Sequence, residues 1–233
     1  MSAIRYPKDR IVKVTEETLI TTPATFYRNG GIYEFASVDY FSTLIEKNGS
    51  KGVFLDIGAQ SGLYSLLGNF YPNILIHSFE PYGPNIKCLN DNLQLNNITN
   101  VITYKFALGE KNDKLKLKIP PNHNGLITLG SNPLRFDKWT EEEVDVKRID
   151  DLFADTPINF IKIDTEGWEY YILKGGIKTI TKWKPEIFLE INETNMRQAN
   201  VELKQLQKLL QDLGYSLVTC IDIENYHYTP NKH

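Results

Sequence analysis

Short, dense apolar runs alternate along this chain with longer segments whose apolar residues recur at helical spacing. The runs at 53–57, 74–79, 101–106, 158–163, 186–191 and 215–221 have the length and continuity of strands buried on both faces. Between them, 62–70, 84–95, 168–181 and 201–213 read as helices. In the last of these, Leu203, Leu206, Leu209, Leu210 and Leu213 form a stripe suited to a core. Strand and helix alternate, so the expected fold class is α/β, a doubly wound and mostly parallel sheet.

The pattern differs at two places. Ahead of residue 50, residues 11–14 and 18–22 read as short strands and Arg28-Asn-Gly-Gly31 as a turn. Phe35, Val38, Phe41, Leu44 and Ile45 then mark a helix over 35–46, which Gly49 stops. Residues 1–50 are expected to form an N-terminal α/β extension packing on the core, and 51–233 a single globular domain. After Gly109, Lys114-Leu-Lys-Leu-Lys-Ile119 alternates with period two, as a half-exposed strand does, and Val144-Asp-Val146 is its expected partner. The Pro-, Asn- and Gly-rich stretch 120–140 between them predicts a long loop, a feature of functional segments in compact domains.

Composition narrows the function classes. The 233 residues suffice for one well-cored domain. A 41% hydrophobic and 24% charged composition with net charge −3 gives no electrostatic reason to expect a nucleic-acid partner. No run is long enough for a membrane span and no apolar leader opens the chain, so a cytoplasmic protein is expected. Cys88 and Cys220 form no metal- or redox-type pair.

Candidate chemistry clusters where apolar runs end. Val53-Phe-Leu-Asp-Ile-Gly-Ala-Gln-Ser-Gly-Leu-Tyr-Ser65 takes a buried strand straight into a glycine-spaced turn. Gly58 and Gly62 permit close approach of backbone to a ligand, with a helix N-terminus facing it. A dinucleotide fingerprint would have G-x-G-x-x-G and its acid about 20 residues later. Here Asp56 precedes glycines spaced G-x-x-x-G, which suits S-adenosylmethionine, whose sulfonium is cationic and which carries no pyrophosphate. Phe79-Glu80-Pro81 ends the next strand, where a carboxylate can bind a ribose diol and Pro81 stiffens the turn. Ile161-Lys-Ile-Asp-Thr-Glu-Gly-Trp-Glu169 ends a third strand, making Asp164 and Glu166 candidates for a general base or for ligands of a hard divalent cation. Glu169 reads as a helix cap, and Glu190 and Asn192 end the following strand.

DIGAQSGLYS, FEPYGPN and KIDTEGWE, in that order over Val53 to Asn192, resemble the FkbM-type family of S-adenosylmethionine-dependent methyltransferases. Family members typically have Asn at Gln60, Val at Thr165 and Ala at Trp168. The resemblance implies a Rossmann-like domain, S-adenosylmethionine as donor, and commonly O-methylation of sugar hydroxyls in glycans or natural products. By this match Asp56, Gly58 and Gly62 line the aminoacyl end of the donor, Glu80 binds its ribose, Ala107 lies near the adenine, and Ala59, Tyr64 and Pro81 belong to the same cofactor site. Asn85 matches the family's helix entry. Asp164, Glu166 and Glu190 are the catalytic candidates, with a divalent cation and a homodimer left open. The expected partner is a small-molecule or glycan acceptor. His123, Trp139, Phe136 and Arg135 are candidates for the acceptor rim, and His77 reads as a sheet histidine. N-methylation of an amino sugar or protein side chain, a nicotinamide-dependent oxidoreductase, and a non-catalytic binding protein are the competing readings.

Overall fold

The computed structural model describes residues 2–21, 34–121, 126–130 and 138–232. The turn expected at 28–31, and His123, Arg135 and Phe136, lie outside them. The chain divides into two compact units, Met1–Lys105 and Phe106–His233.

In the first unit, β1 (Ser2–Tyr6) and β2 (Arg10–Val14) form an antiparallel hairpin. The segment read as a strand at 18–22 is instead helical through Thr21, in α1 (Glu16–Thr21). Its β-branched residues suggested a strand, but Glu16 and Glu17 in the first turn complement a helix N-terminus. Next come α2 (Phe35–Lys47), β3 (Gly52–Ile57), a 3-10 turn at Ser65–Asn69, β4 (Ile74–Phe79), α3 (Gly83–Leu95) and β5 (Val101–Tyr104). Strands β3, β4 and β5 pair in parallel, with Asp56 opposite Ser78 and Ile57 opposite Phe79. The expected helix at 62–70 shrinks to that 3-10 turn, which contains the weak helix former Gly68. Phe41 on α2 packs on Phe54 of β3 at 4.8 Å between ring centroids, whereas Phe35, expected on the same face, is half exposed.

The second unit begins with β6 (Ala107–Leu108), β7 (Asp113–Ile119) and β8 (Thr140–Lys147), a three-stranded sheet in the order β6-β8-β7. The hairpin expectation is met: Leu115 lies opposite Val144. Next come α4 (Ile149–Phe153), β9 (Phe160–Ile163), α5 (Glu169–Gly175), α6 (Ile177–Trp183), β10 (Glu186–Glu190), α7 (Glu193–Gln198), α8 (Leu203–Asp212), β11 (Tyr215–Cys220) and β12 (Asn225–Pro230). β9 and β10 are parallel, and β12 lies antiparallel between β10 and β11. The helix expected at 168–181 is broken at Gly175-Gly176. Each unit thus repeats strand, helix and parallel strand, the mixed α/β, mostly parallel organisation expected of a Rossmann-like fold. Strand interiors are mostly apolar: Phe160, Ile161 and Ile163 are completely buried, as are Phe54 and Leu55. Among the described residues no helix is long and apolar enough to cross a membrane.

The glycine turn after β3 is set by packing as much as by any ligand. Gly62 sits at φ +100°, and a Cβ there would lie 2.4 Å from Leu89 Cδ1 of α3. Gly49, also at positive φ, has only Lys51 at 4.0 Å. Gly62→Ala is therefore expected to lower the unfolding free energy by about 3 kcal/mol and Gly49→Ala by about 1 kcal/mol, read by urea denaturation; equal losses would show that packing on α3 does not matter.

Candidate active site

Asp56, the penultimate residue of β3, is completely buried. Its Oδ2 accepts a hydrogen bond from Ser65 Oγ at 2.5 Å, and the hydroxyls of Ser65 and Ser78 lie 2.7 Å apart. With the Ser65 proton directed to the carboxylate, Ser78 donates to Ser65. The parallel register makes this relay possible, since it sets Ser78 beside Asp56. After the strand, Gly58 N and Ala59 N both donate to Phe79 O at 3.0 Å, turning the loop back onto the end of β4. Gly58 lies at φ +79° and Gln60 at φ +48°, so the loop curls tightly enough to bring Gln60 N within 3.0 Å of Glu80 Oε2.

Glu80 therefore organises two turns. Besides Gln60 N it accepts from Tyr82 N at 2.8 Å on Oε1, and from the Asn85 side chain at the start of α3. Burial pushes its carboxyl up to about 7, against the downward pull of those three donors, and the nearby Asp56 charge adds to the rise. Pro81 is half-buried in the turn leading to α3. Tyr64 is 2% exposed; its ring meets Phe41 edge-on and its hydroxyl donates to Glu34 at 3.1 Å. The loop is also held from behind. Tyr6 of β1 donates to Leu63 O at 2.6 Å, and buried Asn92 of α3 donates to Ser61 O while accepting from Thr15 N.

In the second unit, Ala107 opens β6, buried and paired with Val146. Asp164 follows β9, and Lys162 two residues earlier shares its face, as alternation along a strand dictates. The Lys162 ammonium lies 2.8 Å from Asp164 Oδ2. Carboxylate oxygens of Asp164, Glu166 and Glu190 lie within 4.8 Å of one another, so the three catalytic candidates are brought together. Burial drives the Asp164 carboxyl upward, but the Lys162 charge, together with hydrogen bonds from Glu190 and Lys162, brings it below its ordinary value. Burial, then the charges of Asp164 and Glu166, drive Glu190 well above the carboxylate range. The pair thus shares one proton, held on Glu190 and directed at Asp164.

Glu166 owes its position to an unusual turn. It adopts φ +55° and Gly167 φ +102°; a Cβ on Gly167 would lie 2.4 Å from Asn195 O. Glu166 Oε2 accepts from Asn195 of α7 at 2.5 Å, and its carbonyl accepts from Thr128 Oγ1 at 3.0 Å. Glu169 fastens the same turn: Oε1 accepts from Thr165 N, Thr165 Oγ1 and Gly167 N. Thr165, in place of the family's usual Val, thereby adds a hydrogen bond. Trp168 packs on Tyr171 at 4.3 Å between ring centroids. Asn192 caps α7 through Thr194 N and Asn195 N. Trp139 is half-buried with Lys118 Nζ 5.5 Å from its ring centroid, and His77 is buried with Nδ1 2.9 Å from Tyr104 Oη.

The supporting residues that sequence reading missed are Ser65, Ser78, Lys162 and Asn195. Two carried a signal. Ser78 and Lys162 are polar residues inside otherwise apolar runs, the first in register with Asp56 and the second sharing a face with Asp164. Asn195 carried none, because its partner Glu166 is distant in sequence.

Comparison with known proteins follows the same lines. The chain is similar in structure to a methyltransferase FkbM from Methylobacillus flagellatus KT, with TM-score 0.53 and 21% identity over 77% of this chain and 44% of that one. The chain thus spans less than half the length of that protein. Similarity extends to a precorrin-6y C5,15-methyltransferase from Geobacter metallireducens GS-15, at 16% identity and TM-score 0.48 over 85% of this chain and 88% of that one. It extends also to a TehB-like SAM-dependent methyltransferase from Corynebacterium glutamicum, at 9% identity and TM-score 0.48 over 93% and 100%. No curated protein matches significantly in sequence. The model of the methyltransferase FkbM domain matches residues 37–217, more than half of the chain and all three strand-end motifs. The chain therefore belongs to the FkbM methyltransferase family, a family of S-adenosylmethionine-dependent enzymes.

Proposed function

We propose that this chain transfers a methyl group from S-adenosylmethionine to a hydroxyl of a sugar, nucleotide sugar or glycan. The observation that carries the donor assignment is the pair of buried carboxylates, Asp56 and Glu80, at the ends of adjacent parallel strands around the glycine turn. Their charge suits a cationic donor. A carboxylate has about four acceptor sites. The backbone and Asn85 take three at Glu80, leaving capacity for about one ribose hydroxyl rather than a full diol. Backbone of Gly58 to Gly62 supplies the close approach for the aminoacyl end.

When bound, S-adenosylmethionine supplies an electrophilic methyl group on a sulfonium, and in-line displacement there depends mainly on positioning. The alcohol acceptor must also lose its proton, which calls for a base matched to the working pH. Glu190 is the candidate: burial and the neighbouring acids raise its carboxyl well above its ordinary value, making it a stronger base than an exposed carboxylate, and it hydrogen-bonds Asp164. The sugar class of acceptor rests on the family resemblance, with Trp139 and Trp168 as candidate stacking surfaces.

Screening nucleotide sugars and oligosaccharides with labelled S-adenosylmethionine tests this reading, and mass spectrometry of the product separates O- from N-methylation. Asp164→Asn and Glu190→Gln are each expected to lower kcat about 100-fold with donor affinity unchanged. Near-wild-type turnover in both would sink the base assignment, and tighter binding of NADH than of S-adenosylmethionine would sink the donor.

Glu80 gives a pH signature. Its folded value of about 7 exceeds the ordinary 4.5, so the folded protein holds a proton that the unfolded chain releases between those values. Stability from this group is full below pH 4.5 and is lost as pH rises through 7, by at most about 3 kcal/mol. Glu80→Gln is expected to flatten that loss in pH-dependent urea denaturation and to weaken donor binding about tenfold in calorimetry. A variant with unchanged pH dependence and unchanged affinity would show that Glu80 neither titrates there nor meets the donor.

A further inference from the structure

We propose that the buried ammonium of Lys162 is the resident cation of the carboxylate cluster, fixing Asp164 as its permanent anion and leaving Glu190 to exchange the acceptor's proton without a divalent metal. The inference rests on the methyl-transfer reading above.

Distance alone would admit a metal. Three carboxylate oxygens within 4.8 Å match the spread of ligands around a calcium-sized ion, about 5 Å at most. Charge and hydrogen bonding point the other way. Lys162 is 5% exposed, between the fully buried Ile161 and Ile163, so its ammonium requires a counter-charge. It finds one in Asp164 Oδ2 at 2.8 Å. Glu166 Oε2 is engaged by the Asn195 amide. A divalent ion placed among these oxygens would sit within a few ångströms of the ammonium and be repelled by it.

The ammonium also explains why two adjacent carboxyls play different parts. Both are half-buried and close enough to share a proton, and the lysine is hydrogen-bonded to Asp164. Glu190 faces Asp164 and Glu166 and feels Glu169 on α5, all acids, so it is the member that takes up a proton. During transfer, the acceptor oxygen bonds to the methyl carbon as the sulfur–carbon bond breaks and its electron pair stays on sulfur. For this the resting proton on Glu190 is first lost to solvent; the hydroxyl proton then passes to the freed carboxylate, and solvent removes it in turn.

Two measurements test the proposal. In the first, unmodified protein is titrated with MgCl2 by calorimetry and melted with MgCl2 or EDTA, which needs no acceptor. No binding heat and an unchanged melting temperature are expected; a saturable Mg2+ site, or a Mg2+-dependent rise in melting temperature, would overturn the proposal. A protein that transferred no methyl group would defeat the functional reading while leaving this result interpretable. In the second, Lys162→Met is expected to lower kcat about tenfold with KM for S-adenosylmethionine unchanged, and to move the acid limb of kcat about one unit higher, since losing a positive charge makes Glu190 harder to ionise. Lys162→Arg is expected to recover most of kcat and the original limb. Normal kcat with an unshifted limb in Lys162→Met would overturn the proposal. Should Lys162→Met fail to fold, the arginine variant and the metal titration decide the question: an acid limb displaced in Lys162→Arg as well would count against a simple charge role.

Discussion

A carboxylate taken out of water at the end of a buried strand must be met by donors or give up its charge, and most of this protein's local architecture follows from that requirement. Asp56 has Ser65, itself met by Ser78; Glu80 has two backbone amides and Asn85; Glu169 has Thr165 and Gly167; Asp164 has Lys162. The donors come from the turn after a strand, from the helical segment that follows it, from the strand alongside or, for Lys162, from the same strand. The acids and the loops thus define each other's shape. Removing a buried partner of this kind typically costs 1–3 kcal/mol, more if the remaining group is charged, so these turns are rigid by construction.

Acids at the strand ends nevertheless reach different electrostatic states. Glu80 and Glu190 are driven upward by burial and neighbouring acids, whereas Asp164 is brought below its ordinary range by an ammonium. Identical chemistry at three strand ends thereby separates into a group that holds its charge and groups that hold a proton more readily than an exposed carboxylate does. This division depends on neighbours more than on residue type, which is why a motif alone does not assign the roles.

The same distinction explains what was legible in the sequence. Dense apolar runs identified the buried strands, and period-two alternation identified the hairpin of β7 and β8, because burial on one or two faces writes directly into residue order. The glycine turn and the strand-end acids were legible as a trio for the same reason. Errors arose where short-range propensity competed with position: the β-branched stretch near Thr18 became helix behind two N-terminal glutamates, and Gly175-Gly176 divided a helix whose apolar spacing runs through it. Strand β12 went unread because Asn225-Tyr-His-Tyr-Thr-Pro230 lacks a simple alternation; His227 is buried there against Glu186. Side-chain partners such as Asn195 and Asn92 join segments far apart in the chain, and residue order holds no record of them.

Strand β12 has a further consequence. The matched domain ends at Leu217, yet β12 lies between β10 and β11 and supplies hydrogen-bonding partners to both. At the other end, Tyr6 holds the carbonyl of Leu63 from a hairpin that precedes the matched region. In each unit, residues outside the span over which the family can be recognised thus make contacts with residues inside it. A gene fragment trimmed to residues 37–217 would retain every strand-end acid while baring the edge of β10, cutting β11 short and releasing the glycine turn from one of its anchors.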